Sequence, residues 1–125
     1  MLFRSRGVTV SLDAGPLPEL SPATAAAVYR IAKEALANVA THAGASRVWV
    51  RLEQSGPPGH LAVLLEVADD GVGFPATGVD RRSEGHLGLR LVRDRVTDLG
   101  GEVVLGDRPG GGAVVTAVLP ADGRA

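Results

Sequence analysis

Three groups of residues in this chain are of types and spacings that can do chemistry. The first is Glu34, Asn38 and His42, spaced i, i+4, i+8. On a helix these stack on one face, each a turn above the last. A carboxylate and an amide one turn apart can hold a hydrated divalent cation through oxygen. A carboxylate partly shielded from water can also take a proton from an attacking group. The same line equally describes a solvated helix face on which Arg30 or Lys33 simply pairs with Glu34. The second group is Asp69-Asp70-Gly71-Val72-Gly73-Phe74. Here a carboxylate can accept a hydrogen bond from an exocyclic amine, and alternating glycines let backbone come close to a flat ligand. The third is Gly85-His86-Leu87-Gly88-Leu89. It opens a helix, and the unpaired N–H groups of a helix start favour an anion.

Two better-known phosphate motifs do not account for these glycines. Gly71, Gly73 and Ala76 fit G-x-G-x-x-A, but that fingerprint needs a helix opening inside it, and Pro75 and Gly78 interrupt. A Walker-type loop is excluded because Lys33, the only lysine, is not preceded by glycine. Arg108-Pro109-Gly110-Gly111-Gly112 reads as a hairpin turn.

These residues need elements to hold them. Val8 to Leu12 alternates and reads as a short strand. Ser21-Pro22 forms an N-cap followed by proline at the first helical position. Ala23 to His42 then has no glycine or further proline, which predicts a helix of about five turns stopped by Gly44. Arg47 to Glu53 and Leu61 to Val67 predict a hairpin around Gly56-Pro57-Pro58-Gly59. The second of these strands is apolar at nearly every position, as a central strand is. Asp69 to Gly85 has no periodicity and predicts a long functional loop. Leu89, Val92, Val96 and Leu99 share a stripe, so Leu87 to Leu99 predicts a second helix, ended by Gly100-Gly101. Glu102 to Leu105 and Ala113 to Leu119 predict a last hairpin. The expected fold class is α+β: a mostly antiparallel sheet with helices on one face.

The 125 residues fit a single domain, residues 1–125, long enough to bury a core. Lys and Arg number 13 against 14 Asp and Glu, and a net charge of -1 argues against a nucleic-acid module. Aromatic content of 3% leaves few rings for base stacking. With no cysteine, disulfides, thiolate metal sites and a cysteine nucleophile are all excluded. No apolar run approaches a membrane span, and Met1 to Arg6 is too short and polar for a signal peptide. Gly and Pro together make one residue in five, and the glycines cluster between 71 and 112, which marks loops with a task.

Taken together, the three motifs resemble a known family. Arg30 through Ala43, containing Glu34, Asn38 and His42, resembles the N box of sensor histidine kinases. Asp69-Asp70-Gly71-Val72-Gly73-Phe74 resembles their D-x-G-x-G box. Gly85 to Arg90, running on to Leu99-Gly100-Gly101, resembles their second glycine box. The resemblance covers about residues 20–120 and is closest to the branch with nitrate-responsive and membrane-thickness-sensing kinases, within the GHKL ATPase superfamily. It implies a Bergerat fold, a two-layer sandwich binding ATP and Mg²⁺ under a lid at about 75–85. It implies that Asn38 holds Mg²⁺ and that Glu34 orients a metal-bound water or acts as base. Asp69 would bind the adenine amino group, with Gly71 and Gly73 turning under the base beside Phe74. Gly85, His86, Leu87, Gly88 and Leu89 would meet the phosphates, and His42 would line the nucleotide wall. The implied activity is transfer of the ATP γ-phosphate to a histidine on a separate dimerisation domain, then on to a response regulator, in the cytoplasm. Such a domain is expected to be monomeric by itself and to touch neither membrane nor nucleic acid.

Three departures from the family stand out. Thr41 stands where a basic phosphate contact is common, which leaves Arg81, Arg82 or Arg90 to compensate. Ala113 replaces a common hydroxyl residue after the last glycine run. None of His42, His60 and His86 sits like a phosphoacceptor, so the chain reads as an excised ATP-binding domain. Two rival readings are an anti-sigma-type serine kinase or binding module of the same superfamily, and a nucleotide-silent regulatory domain.

Overall fold

The computed structural model describes residues 2–5, 7–40, 44–71 and 86–123, with 2–5 and 86–89 described as elements only. Eight elements follow in chain order: β1 (Leu2–Ser5), β2 (Val8–Ala14), α1 (Pro22–Asn38), β3 (Arg47–Ser55), β4 (Ala62–Asp69), α2 (His86–Asp98), β5 (Glu102–Asp107) and β6 (Ala113–Pro120). The strands form one six-stranded sheet in the order β1-β2-β3-β4-β6-β5. All neighbours are antiparallel except β2 and β3, which run parallel. A parallel pair needs a crossover, and α1 supplies it.

Alternation along the strands explains why the helices cover a single face. In β6, Ala113, Val115, Ala117 and Leu119 are buried, and the residues between them are half-exposed. Val48 and Val50 of β3 and Val63, Leu65 and Val67 of β4 point the same way. Against them pack Ala27, Ile31 and Ala35 of α1, and Val92 and Val96 of α2 with Leu99 just beyond it. Ile31, Leu65, Leu119, Val48, Val63 and Val96 are almost wholly buried. Each such side chain contributes about 1.5–3 kcal/mol relative to exposure.

Both predicted hairpins form, and β4 is central, with β3 and β6 on its flanks. Three expectations need correction. The strand β1 was not foreseen, because four residues carry too little periodicity to read. The helix α1 ends at Asn38, short of the expected stop at Gly44. The amide of Val39 reaches both Ala35 and Leu36 carbonyls, and residues 39–40 widen into a π-type turn that ends the regular ladder. The expected loop at Asp69 to Gly85 begins one residue later, since Asp69 is the last residue of β4.

Candidate functional site

Chain direction alone brings the motifs together. The start of α1 is tied to the end of the sheet where β4 begins: Ser21 N–H donates to the Ala121 carbonyl (2.8 Å), and Ala121 N–H donates to that of Leu61 (2.9 Å). The helix has 17 residues, about 26 Å, and β4 has 8, about 27 Å. Asn38, at the end of α1, is thereby carried to the end of the sheet where β4 finishes with Asp69. The helix α2 runs the opposite way. Its far end leads through Gly100-Gly101 into β5, whose Glu102 pairs with Val118 near the Leu61 end. Its first turn, His86 to Leu89, therefore faces the Asp69 end. The turn between β5 and β6 belongs to that end too, because Val114 pairs with Ala68.

At this end the polar side chains differ in how fully they are partnered among the described residues. Asn38 is half-exposed as a residue, yet its amide nitrogen and oxygen are both buried, with no hydrogen-bond partner among the described residues. Buried amides are almost always paired in folded proteins, so an orphan of this kind points to a ligand or ion. Glu34, one turn earlier, is half-buried and forms no ion pair with Arg30 or Lys33 among the described residues. That removes the simple pairing explanation for its presence on this face. Asp69 is 4% exposed, and one carboxylate oxygen accepts the Gly71 N–H at 2.8 Å. A buried carboxylate with a single bond among the described residues keeps acceptor capacity for an incoming donor.

Asp70, the neighbouring carboxylate, does different work. Its two oxygens accept from Ser46 N–H, Ser46 Oγ and Arg47 N–H, each at 2.9 Å. Its own N–H donates to the Arg47 carbonyl at 3.2 Å. The Arg47 amide, outweighing some desolvation and helped by both Ser46 donors, holds the carboxyl below the usual aspartate range. Asp70 stitches the end of β4 to the start of β3 and so fixes where Asp69 stands. Composition gave no way to tell the two aspartates apart; strand parity does, because Asp69 falls on the inward face with Val67 and Leu65.

Gly112 is a residue whose role sequence reading missed. It has φ +108°, and a Cβ there would overlap the Asp69 carbonyl oxygen and lie 2.7 Å from its carbon. The glycine run is the hairpin turn that was expected, and it also presses on the strand end bearing Asp69. His42, Gly73, Phe74 and Gly85, Thr41, Arg81 and Arg82, and the expected lid lie outside the described residues. His60 sits in the β3–β4 turn, at the far end of the sheet from Asp69.

A cation at this end would find oxygen donors of the right kind. Among the described residues no three His, Cys, Asp or Glu side chains converge on a metal position. Magnesium does not need such a cage, since it keeps several waters and takes one or two protein oxygens together with phosphates. The unpaired Asn38 oxygen fits that pattern.

Comparison with known proteins bears on the family and the fold. The family described as "Histidine kinase-, DNA gyrase B-, and HSP90-like ATPase" matches residues 23–123. The sensor histidine kinase NarS of Mycobacterium tuberculosis is 40% identical over 85 residues, 67% of this chain and 19% of that protein. The nitrate/nitrite sensor protein NarX of Escherichia coli is 36% identical over 116 residues, 91% of this chain and 18% of that protein. Among solved structures, the histidine kinase domain of the Erythrobacter litoralis EL346 blue-light activated histidine kinase superposes with a TM-score of 0.68 at 32% identity, covering 92% of this chain and 52% of that one. The chain spans less than a quarter of the length of curated relatives it matches, at 22%, 19% and 24% for three of them. A nearly buried carboxylate, an orphaned amide and a helix start gathered at one end of an α+β sheet, with a family match over most of the length, place this chain in the histidine kinase-, DNA gyrase B- and HSP90-like ATPase family, as a homologue of the ATP-binding domains of sensor histidine kinases.

Proposed function

We propose that this domain binds Mg·ATP at the Asp69 end of the sheet and donates the γ-phosphate to a histidine on a companion helical domain of a parent kinase. A response-regulator aspartate then receives it. The observation that carries the reading is the Asn38 amide, buried and without a hydrogen-bond partner among the described residues. It sits on the helix line with Glu34, at the sheet end where Asp69 and the start of α2 also lie. Asp69 accepts a hydrogen bond from the exocyclic amine of adenine. Gly71 and Gly73 are assigned to the close passage of backbone by the base, and Phe74 and His42 to the pocket wall, by the family motifs they match; Gly73, Phe74 and His42 lie outside the described residues. The N–H groups of Gly85, His86, Leu87, Gly88 and Leu89 face the phosphates, where a helix start favours negative charge. Asn38 offers its oxygen to Mg²⁺, with Glu34 adjacent; when bound, the cation neutralises charge on the phosphate oxygens.

The transfer breaks the bond between the γ-phosphorus and the bridging oxygen, releasing ADP. It forms a phosphorus–nitrogen bond to the acceptor imidazole, and Glu34 takes the proton that imidazole gives up. Little covalent machinery is required, because phosphoryl transfer depends mainly on positioning and charge neutralisation. The domain works in the cytoplasm, where ATP is, and acts as a monomer until joined to its helical partner. Among the described residues no helix is long and apolar enough to cross a membrane.

Calorimetric titration with ATP, with and without magnesium, tests the binding half. Binding that tightens with magnesium is expected, and millimolar or weaker binding under both conditions rejects the proposal. Mixing the domain with a cognate helical hairpin and labelled ATP tests the transfer half, and an unlabelled hairpin despite demonstrated binding rejects it.

A further inference from the structure

We infer that Arg108 and Trp49 form a clamp that sets the position of the Asp69 carboxylate, which makes Arg108 a positioning residue for the purine. The inference rests on the reading of Asp69 as the adenine acceptor. Trp49 lies on the outer face of β3, away from the helices, since its neighbours Val48 and Val50 point into the core. It pairs across the sheet with Ala68 of β4, and Ala68 pairs with Val114 of β6. Val114 follows directly on the turn between β5 and β6, so this row of paired residues leads from Trp49 to that turn. Arg108, in that turn, lays its guanidinium over the ring, with Cζ 4.4 Å from the centroid. This is stacking distance for a cation on an indole face.

The same arginine organises the turn that Gly112 belongs to. Arg108 N–H donates to the Gly112 carbonyl (2.9 Å), and Gly111 N–H donates to that of Arg108 (3.0 Å). The Arg108 guanidinium donates to the Gly111 carbonyl at 3.1 Å. Gly110, Gly111 and Gly112 all have positive φ, at 90°, 116° and 108°. Three such glycines in succession have wide conformational freedom, so the turn takes its shape from what anchors it. The anchor is Arg108, held over Trp49. The turn in turn presses Gly112 onto the Asp69 carbonyl, one residue's backbone away from the carboxylate that meets the base. A chain of contacts thus runs from the outer face of the sheet, through a glycine turn, to the buried acid.

The test separates positioning from general stability by comparing two bases. ADP carries the exocyclic amine that Asp69 accepts from; purine riboside diphosphate lacks it. With the 125-residue chain and magnesium, wild type is expected to prefer ADP. Arg108→Gln is expected to weaken ADP by about 3- to 10-fold, the scale of a lost cation–π contact, and to leave the amine-free analogue unchanged. Arg108→Lys, which keeps a cation over the ring, is expected to restore the preference for ADP. Trp49→Leu is expected to reproduce Arg108→Gln, with the double variant no worse than either. Unchanged ADP affinity in Arg108→Gln overturns the inference, and so does equal weakening of both nucleotides. A wild type that binds both bases equally removes the adenine reading itself, and the inference with it, before any substitution is made. Trp49 is the only tryptophan in the chain, so its emission reports directly whether each Arg108 variant has lifted off the ring.

Discussion

The two ends of the sheet both gather polar groups from β4, β6 and the helices, and they treat those groups in opposite ways. At the Leu61 end the buried polar side chains among the described residues are paired. Ser21 Oγ accepts from Thr24 N–H (3.1 Å) and donates to the Gly123 carbonyl (2.6 Å). Thr24, wholly buried, donates to the Pro120 carbonyl at 2.9 Å. A cleft of about 820 Å³ opens there, yet the His60, Glu102 and Asp122 that border it are exposed to water. At the Asp69 end, among the described residues, an amide is buried with no partner and an acid is buried with one. Satisfied polar groups hold a fold together; unsatisfied ones, kept at a stability penalty, are held for something else.

That contrast can be broken by substitution. The largest effect is expected from Asp69→Ala, which should weaken ATP by about 100-fold, the scale of a hydrogen bond to a charged group, when measured by calorimetry. If it bound as well as the parent, the assignment of adenine to this acid would be wrong. Next is Thr24→Val at the opposite end. Losing its bond to Pro120 should lower the unfolding free energy by about 1–3 kcal/mol in urea titrations, with ATP affinity unchanged.

Asn38→Ala sharpens the comparison because its two effects have opposite sign. Removing an orphaned amide and improving helix propensity should raise stability without ligand by about 0.5–1 kcal/mol in thermal unfolding. The same change should spare adenine recognition and abolish magnesium-dependent phosphoryl transfer. A loss of stability would show that the amide is paired after all. The smallest effect concerns Asp70. Its carboxyl is held below the ordinary aspartate range by the Arg47 and Ser46 donors. The stabilisation it gives is therefore complete above the unfolded-state value and fades as pH falls through the lower native one. The stability gap between wild type and Asp70→Asn should be constant near neutrality and close in acid, as urea midpoints across pH will show.

The motif residues named from sequence fall on elements that bring them to one end of the sheet, wherever the structure describes them. Glu34 and Asn38 share a helix face because their spacing matches the helical period. Asp69 ends the central strand, and His86 to Leu89 open α2. The third member of the helix line, His42, follows the π-type turn at 39–40 and lies outside the described residues. What could not be read was contact between distant segments. Nothing in the spacing of Gly112 says that it meets Asp69, 43 positions earlier, and nothing in Trp49 announces Arg108. The resemblance singled out Asp69, but nothing in it announced the three donors from the start of β3 that tie down Asp70.

Local order, then, was determined by the sequence itself: the capped start of α1, the alternation that turns one sheet face inward, and the Gly100-Gly101 stop of α2. These follow from interactions within a few residues, which spacing and residue type encode directly. Tertiary structure alone decided the parallel pairing of β2 with β3, which donors tie down Asp70, and how closely the last glycine turn meets Asp69. Those depend on where separate segments meet, and the meeting points are chosen by the burial of the whole apolar face at once.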